Sequence, residues 1–92
     1  MTVRVTLYVA SDGPNSVAAR THLKAALDAF PGHPIEVEIV DVVEEPDRGL
    51  HDGVLVTPML IRYAPPPEKR ILGNLRDRAL LLALLQLAES ER

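Results

Sequence analysis

Apolar and polar residues alternate at the start of the chain. The apolar side chains occupy every second position, at Val3, Val5, Leu7 and Val9. This is the period of a β-strand with one buried face, and the bulk of Tyr8 indicates that the second face is covered as well. Residues 35–42 repeat the alternation and predict a second strand.

A helix is predicted between these two strands. Residues 17–30 are rich in alanine and leucine, and their apolar side chains form one helical stripe of Ala19, Leu23, Ala26, Leu27 and Phe30. The turn-forming residues 11–16 precede the helix, and Pro31 with Gly32 ends it. A strand, a helix and a strand within the first 42 residues predict a βαβ unit with parallel strands and a right-handed crossover.

The middle of the chain is harder to interpret. Residues 44–53 are polar and indicate a short helix or an irregular loop. The apolar run that follows is interrupted by Pro58, and because proline cannot donate to a sheet ladder, the third strand is predicted to begin at Met59.

The last third of the chain predicts a strand and a helix. Residues 65–67 are three prolines, which favour a stiff connector in the extended polyproline form. Lys69–Leu72 is predicted as the fourth strand, and residues 75–91, rich in leucine and alanine, as a helix. The predicted order is β-α-β-(α)-β-β-α, in a single domain of residues 1–92.

Composition narrows the functional classes. The chain has no cysteine, which excludes disulfides, thiolate metal sites and thiol catalysis. Aromatic residues are only 3% of the chain and the net charge is −3, and both argue against nucleic-acid binding. No apolar run reaches the roughly 20 residues of a membrane span, so we expect a cytoplasmic protein with no membrane or nucleic-acid partner.

Few residues of the chain are candidates for catalysis or metal binding. His22, His33 and His51 are 11 and 18 residues apart, with no i, i+4 pair, so no metal site is predicted. Asp12 and Asp41 are interpreted as a turn residue and a strand-end residue and not as a catalytic pair. We therefore predict no catalytic residues and no cofactor.

Several short motifs resemble the circadian clock KaiB family, in family order and without gaps over residues 7–87. They are Leu7-Tyr8-Val9-Ala10, Pro14-Asn15-Ser16, Asp41-Val42, Thr57-Pro58, Pro65-Pro66-Pro67 and Arg70-Ile71-Leu72-Gly73. Each motif is unspecific alone, and their register along the chain makes the resemblance specific.

The resemblance implies a thioredoxin-like α/β fold with a mixed four-stranded sheet and no redox activity. Residues 12–15 stand where thioredoxins carry Cys-x-x-Cys, and Pro58 stands at the facing proline, for which the family favours a cis bond. A thiolate is the nucleophile of disulfide exchange, and neither Asp12 nor Asn15 can replace it.

The resemblance also implies partners and a second fold. Family members bind the ATPase ring of KaiC, and this binding sequesters KaiA and displaces the output histidine kinase. They also interconvert between a rearranged tetramer and a thioredoxin-like monomer. The matching positions of this chain are candidates for partner binding or for the switch region. They are Tyr8, Asn15, Ser16, Pro58, Arg70, Gly73 and Asn74. A KaiC-like ATPase is therefore the expected partner, with a KaiA-like protein as a further candidate.

The chain departs from the family in the segment that switches. Residues 79–85 are leucine and alanine, where typical members carry β-branched residues and glycine that can form a strand. Leucine and alanine favour a helix over glycine or β-branched residues by up to ~1 kcal/mol per position. We therefore predict a thioredoxin-like resting state that is mainly monomeric, with the tetramer as the alternative.

A cluster of basic residues suggests a docking face. Five basic residues fall within 17 positions, namely Arg62, Lys69, Arg70, Arg76 and Arg78. They predict either a solvated surface or a face for an acidic patch on an ATPase.

Two other functions stay open, namely a homologue in stress signalling outside any clock and a stand-alone relative of the kinase sensor domain. A thioredoxin-like enzyme is disfavoured, because no nucleophile has a base beside it.

Overall fold

The computed structural model describes residues 2–87 of the chain. Its elements are β1 (Val3–Val9), α1 (Pro14–Ala29), β2 (Ile35–Asp41), α2 (Pro46–His51), β3 (Met59–Ala64), β4 (Lys69–Leu72) and α3 (Arg78–Leu85). The predicted order of strands and helices is confirmed, including the start of β3 at Met59. The uncertain segment 44–53 contains a short helix.

The four strands form one mixed sheet in the order β2-β1-β3-β4. β1 runs parallel to β2, with Val5 opposite Val37, and this confirms the βαβ unit. β3 is antiparallel to both β1 and β4, with Leu60 opposite Leu7 and opposite Ile71. β2 and β4 are therefore the two edges of the sheet.

Each face of the sheet has its own apolar cluster. On the face covered by α1 and α3, alternate residues of β1 pack with the helices, and the cluster includes Val5, Leu7, Ala19, Leu23, Leu60, Leu81 and Leu85. On the other face Tyr8, Val40, Val54 and Ile61 pack together near α2. Tyr8 is completely buried, which confirms that both faces of β1 are covered.

The two long helices differ from the sequence prediction at their ends. α1 begins at Pro14, three residues before the predicted start, because proline is well accommodated at the first helical position, where no amide donor is needed. α3 begins only at Arg78, since the Asp77 side chain accepts a hydrogen bond from the Leu80 amide at 3.1 Å and acts as N-cap. Leu75 has φ 62°, so residues 75–77 are not helical.

α3 ends at Leu85, where the prediction continued to residue 91. Gln86 takes a left-handed conformation with φ 59°. Its amide donates to the Ala83 carbonyl at 3.1 Å, and the Leu87 amide donates to the Leu82 carbonyl at 2.9 Å. These two bonds define a Schellman motif, which satisfies the last carbonyls and ends the helix. The remainder of the predicted helix, residues 88–91, lies outside the described residues.

The three prolines do not form an extended connector. The Ala64–Pro65 and Pro66–Pro67 bonds are cis, whereas the extended polyproline helix that we predicted is a continuous rod with no reversal. The prediction was wrong because β3 and β4 are antiparallel neighbours, and the few residues between them have to reverse the chain.

Candidate partner-docking site

One end of the sheet brings together most of the candidate residues. β1 and β2 end there and β3 begins there, because β3 runs antiparallel to both. The loop after β1 is held by Ser16, whose buried hydroxyl oxygen accepts a hydrogen bond from the Ala10 amide at 3.0 Å. Asn15 precedes it in the first turn of α1 and is exposed.

Asp41 connects the ends of β1 and β2. Its carboxylate accepts hydrogen bonds from the Val43 amide at 2.9 Å and from the Ser11 amide at 3.1 Å. These backbone hydrogen bonds hold the pKa of the Asp41 carboxyl below its ordinary value. Asp41 therefore stabilises two loops, in agreement with its interpretation as a strand-end residue.

Pro58 and Gly73 meet across the start of β3. The Thr57–Pro58 bond is cis, as the resemblance implied, and Pro58 is buried. The Pro58 carbonyl accepts a hydrogen bond from the Gly73 amide at 2.9 Å. Gly73 has φ 110°, a conformation that favours glycine. Next to it, the ring Nδ1 of His22 donates to the Asn74 carbonyl at 2.7 Å and attaches this turn to α1.

Exposed apolar side chains lie in the segments that begin or end at this end of the sheet. We call them the apolar rim, defined as Val17, Val43, Leu55 and Val56. Leu55 is 85% exposed, although it lies only three residues before the buried Pro58. Exposed apolar side chains grouped in this way are typical of protein-interaction surfaces.

Tyr8 lies near this end, opposite Met59, but its side chain belongs to a second cluster beside α2, on the face of the sheet that α1 and α3 do not cover. Its hydroxyl donates to the Asp52 carboxylate and lies 3.3 Å from the Arg48 carbonyl, and the Tyr63 hydroxyl donates to the same Asp52 oxygen at 2.6 Å. Asp52 and Tyr63 were not among the predicted site residues, because they are 44 and 55 residues from Tyr8 and no local pattern connects them.

Burial and hydrogen bonding set the protonation states in this cluster. Burial, together with the hydrogen bond to Asp52, raises the pKa of both Tyr8 and Tyr63. Burial opposes the ionisation of Asp52, but the hydrogen bonds from Tyr63 and Tyr8 outweigh it, and the pKa of Asp52 lies below its ordinary value. The cluster is thus a carboxylate held by two neutral phenols, an arrangement that anchors the α2–β3 connection.

The basic face differs from its prediction. Arg62 is only 4% exposed, because strand alternation turns it inward, and its guanidinium donates to the Leu84 carbonyl at 2.8 Å. Arg62 is therefore not one of the exposed basic residues that the sequence predicted. Arg70 is exposed, but its guanidinium donates to the Asp52 carbonyl at 2.7 Å and to Glu68 at 2.9 Å. The remaining basic residues, Lys69, Arg76 and Arg78, are exposed.

Residues 2–87 contain no group of three side chains able to hold a metal ion, and no helix among them is long and apolar enough to cross a membrane. The site residues are bound into structural hydrogen bonds or exposed as apolar surface, an arrangement suited to binding.

Solved structures place the chain in the thioredoxin-like class. The N-terminal domain of SasA from Synechococcus elongatus is 23% identical, with a TM-score of 0.73 over 100% of this chain and 90% of that one. Mitochondrial thioredoxin 3 from Saccharomyces cerevisiae is 21% identical, with a TM-score of 0.74 over 92% of this chain and 78% of that one. At these identities the likeness shows the fold.

Sequence comparison defines the family. The family model "KaiB domain" matches residues 6–87. The circadian clock oscillator protein KaiB of Rippkaea orientalis is 41% identical over 86 residues, covering 92% of this chain and 82% of the relative. The KaiB protein of Gloeothece citriformis is 38% identical over 85 residues, covering 92% and 80%. The chain belongs to the KaiB family of clock proteins, which are non-catalytic regulators.

Proposed function

We propose that this chain is a single-domain cytoplasmic regulator that binds a KaiC-type hexameric ATPase and modulates its phosphorylation or its output signalling. The observation that carries the proposal is the apolar rim, where four exposed aliphatic side chains lie in α1 and in the segments next to β2 and β3 at one end of the sheet. Membership of the KaiB family supports a clock partner.

The rigidity of the loops supports a docking role for the rim. The Asp41 carboxylate holds the loop of Val43 through the Val43 amide. The segment of Leu55 and Val56 is held on both sides, by the bond from the Val54 amide to the Gly49 carbonyl and by the bond from the Gly73 amide to the Pro58 carbonyl. A surface that is ordered before binding loses less conformational entropy on association. The chain has no cysteine, so the thiol chemistry of thioredoxins is not a competing use of this end of the fold.

We expect Leu55→Asp to weaken binding to the KaiC-type ATPase of the same organism by more than tenfold, about 1.4 kcal/mol or more. The reason is that a carboxylate at the most exposed position of the rim would have to be desolvated in the complex. The measurement is co-purification with the ATPase, with and without ATP, followed by titration of a labelled chain.

Arg70→Glu is expected to weaken the same complex through the loss of positive charge beside Asp52.

Leu50→Asp is the matched control for this experiment. Leu50 is exposed on α2 outside the rim, so the same substitution changes charge and solubility equally without touching the proposed contact. Equal losses for the two variants would contradict docking through the rim, and no binding by the wild-type chain would contradict the proposed partner.

We also propose that the thioredoxin-like fold is the resting state of this chain and that the chain is mainly monomeric. The buried leucines of α3, namely Leu81, Leu82, Leu84 and Leu85, all pack in the main core, and the Schellman motif terminates the helix. Both features favour the helical form of a segment that would have to become a strand in the alternative fold.

Light scattering on a sizing column is expected to give a mass near that of one chain, 10.1 kDa. A mass about four times as large would contradict the proposal, since it would indicate the tetramer-type state. The measurement should be repeated at several protein concentrations, because association depends on concentration by mass action.

A further inference from the structure

The edge of β4 is open in the described part of the chain. The Gly73 amide donates to the Pro58 carbonyl, and hydrogen bonding in an antiparallel pair alternates along the strand. The main-chain groups of Ile71 and Lys69 therefore face β3, whereas those of Arg70 and Leu72 point away from it. In residues 2–87 no strand lies on that side, so these donors and acceptors are available to another strand.

An apolar groove runs beside this edge, between β4 and α3. It consists of two adjoining cavities of about 350 and 210 Å³ that share Ile71 and Leu80 in their walls. Leu80, which lies in the wall of both cavities, is an apolar side chain that is 51% exposed, and it does not belong to the apolar rim.

The smaller cavity carries positive charge at one end of the groove. Arg62 and Lys69 are opposite each other in the β3–β4 ladder and share the face that α3 covers, and both line this cavity. Two guanidinium nitrogens of Arg62 donate to the Leu84 and Pro67 carbonyls at 2.8 and 2.9 Å, and Nε is buried without an acceptor in the described residues. No carboxylate of residues 2–87 lines the cavity.

Within residues 2–87, Arg62 has an unused donor and no ion partner, so its buried guanidinium carries an uncompensated desolvation cost. Interaction with a carbonyl near the end of α3 offsets part of this cost, because the C-terminal end of a helix is negative. The remaining positive charge of Arg62, reinforced by exposed Lys69, is complementary to an anionic group. An apolar groove, an open strand edge and a cationic end together match an extended peptide with an acidic residue.

We propose that the groove between β4 and α3 binds an extended segment of a partner protein as a fifth strand of the sheet. Its main chain pairs with Arg70 and Leu72, its apolar side chains cover Ile71 and Leu80, and an acidic side chain lies at Lys69 and Arg62. This surface is separate from the apolar rim, and its test requires no ATPase, so either proposal can fail without the other.

The probe is a synthetic peptide that alternates valine with threonine and carries one glutamate, added to the isotope-labelled full chain. On binding, the amide protons of Arg70 and Leu72 should shift and become protected from hydrogen exchange, while that of Ile71, already paired with β3, should change little in protection. Lys69→Glu should weaken binding by about tenfold, which is ~1.4 kcal/mol. The same variant should prefer a peptide with lysine in place of glutamate.

Lys24→Glu is the control, since it makes the same charge change on exposed α1. Equal losses for Lys24→Glu and Lys69→Glu would overturn the proposal, as would the absence of shifts at Arg70 and Leu72. Protection of these two amides that arises without peptide, on raising the protein concentration, would indicate that a second copy of the chain occupies the edge and would also overturn it.

Discussion

Tyr8→Ala is expected to lower the free energy of unfolding by about 3–5 kcal/mol, the usual cost of deleting a buried aromatic ring. Tyr8 is fully buried in the centre of the sheet and packs with Val40, Val54 and Ile61. For a chain of this size the total stability is roughly 5–14 kcal/mol, so the variant would lose a large share of it. Urea unfolding followed by circular dichroism measures the change.

Tyr8→Phe separates the packing of the ring from its hydrogen bonds. It keeps the ring and removes the hydroxyl that donates to Asp52, and we expect a loss of about 1–3 kcal/mol. If Tyr8→Phe destabilised the protein as much as Tyr8→Ala, packing in the second apolar cluster would not be the main contribution of this residue, and the argument from burial would be contradicted.

The elements that could be predicted are those with a strong local period. β1 and β2 alternate clearly, and α1 carries a continuous apolar stripe, so one short window was enough to identify each. The end of α3 could not be predicted in this way, because leucine and alanine continue to favour a helix up to Leu85 and beyond. Helix termination there depends on the left-handed conformation of Gln86, a residue type with no special preference for it.

The residues of the candidate site were chosen through the family resemblance, because they lie far apart in the sequence and no local pattern connects them. Ser16, Pro58 and Gly73 were selected through the resemblance, and the structure places them at one end of the sheet. The inward orientation of Arg62 was missed because β3 is covered on both faces, so alternation does not reveal which side carries a polar residue. Asp52 was missed because its role depends on tyrosines brought to it from two different strands.

Asp52→Ala is expected to destabilise the protein at neutral pH by roughly 2–4 kcal/mol, since hydrogen bonds to an ionised group contribute about 1.5–3 kcal/mol each. The substitution leaves the buried Tyr8 hydroxyl with the Arg48 carbonyl at 3.3 Å as its remaining partner. It also removes the acceptor of Tyr63. Urea unfolding at constant ionic strength measures the loss, and a loss below that of Tyr8→Phe would contradict the assignment of Asp52 as the shared acceptor.

The pH dependence of Asp52→Asn tests whether the carboxylate contributes through its charge. Because folding lowers the pKa of Asp52 from its ordinary value of 3.8, the folded state is stabilised by the ionised form, fully above that value and progressively less as the pH falls through the folded pKa. The stability difference between wild type and Asp52→Asn should therefore be largest near neutral pH and shrink below about pH 4.

Glu38 and Asp41 also have lowered pKa values, but they titrate in both proteins and largely cancel in the difference. A difference that stays constant with pH would mean that Asn replaces the carboxylate as an acceptor and that the charge of Asp52 contributes nothing to stability.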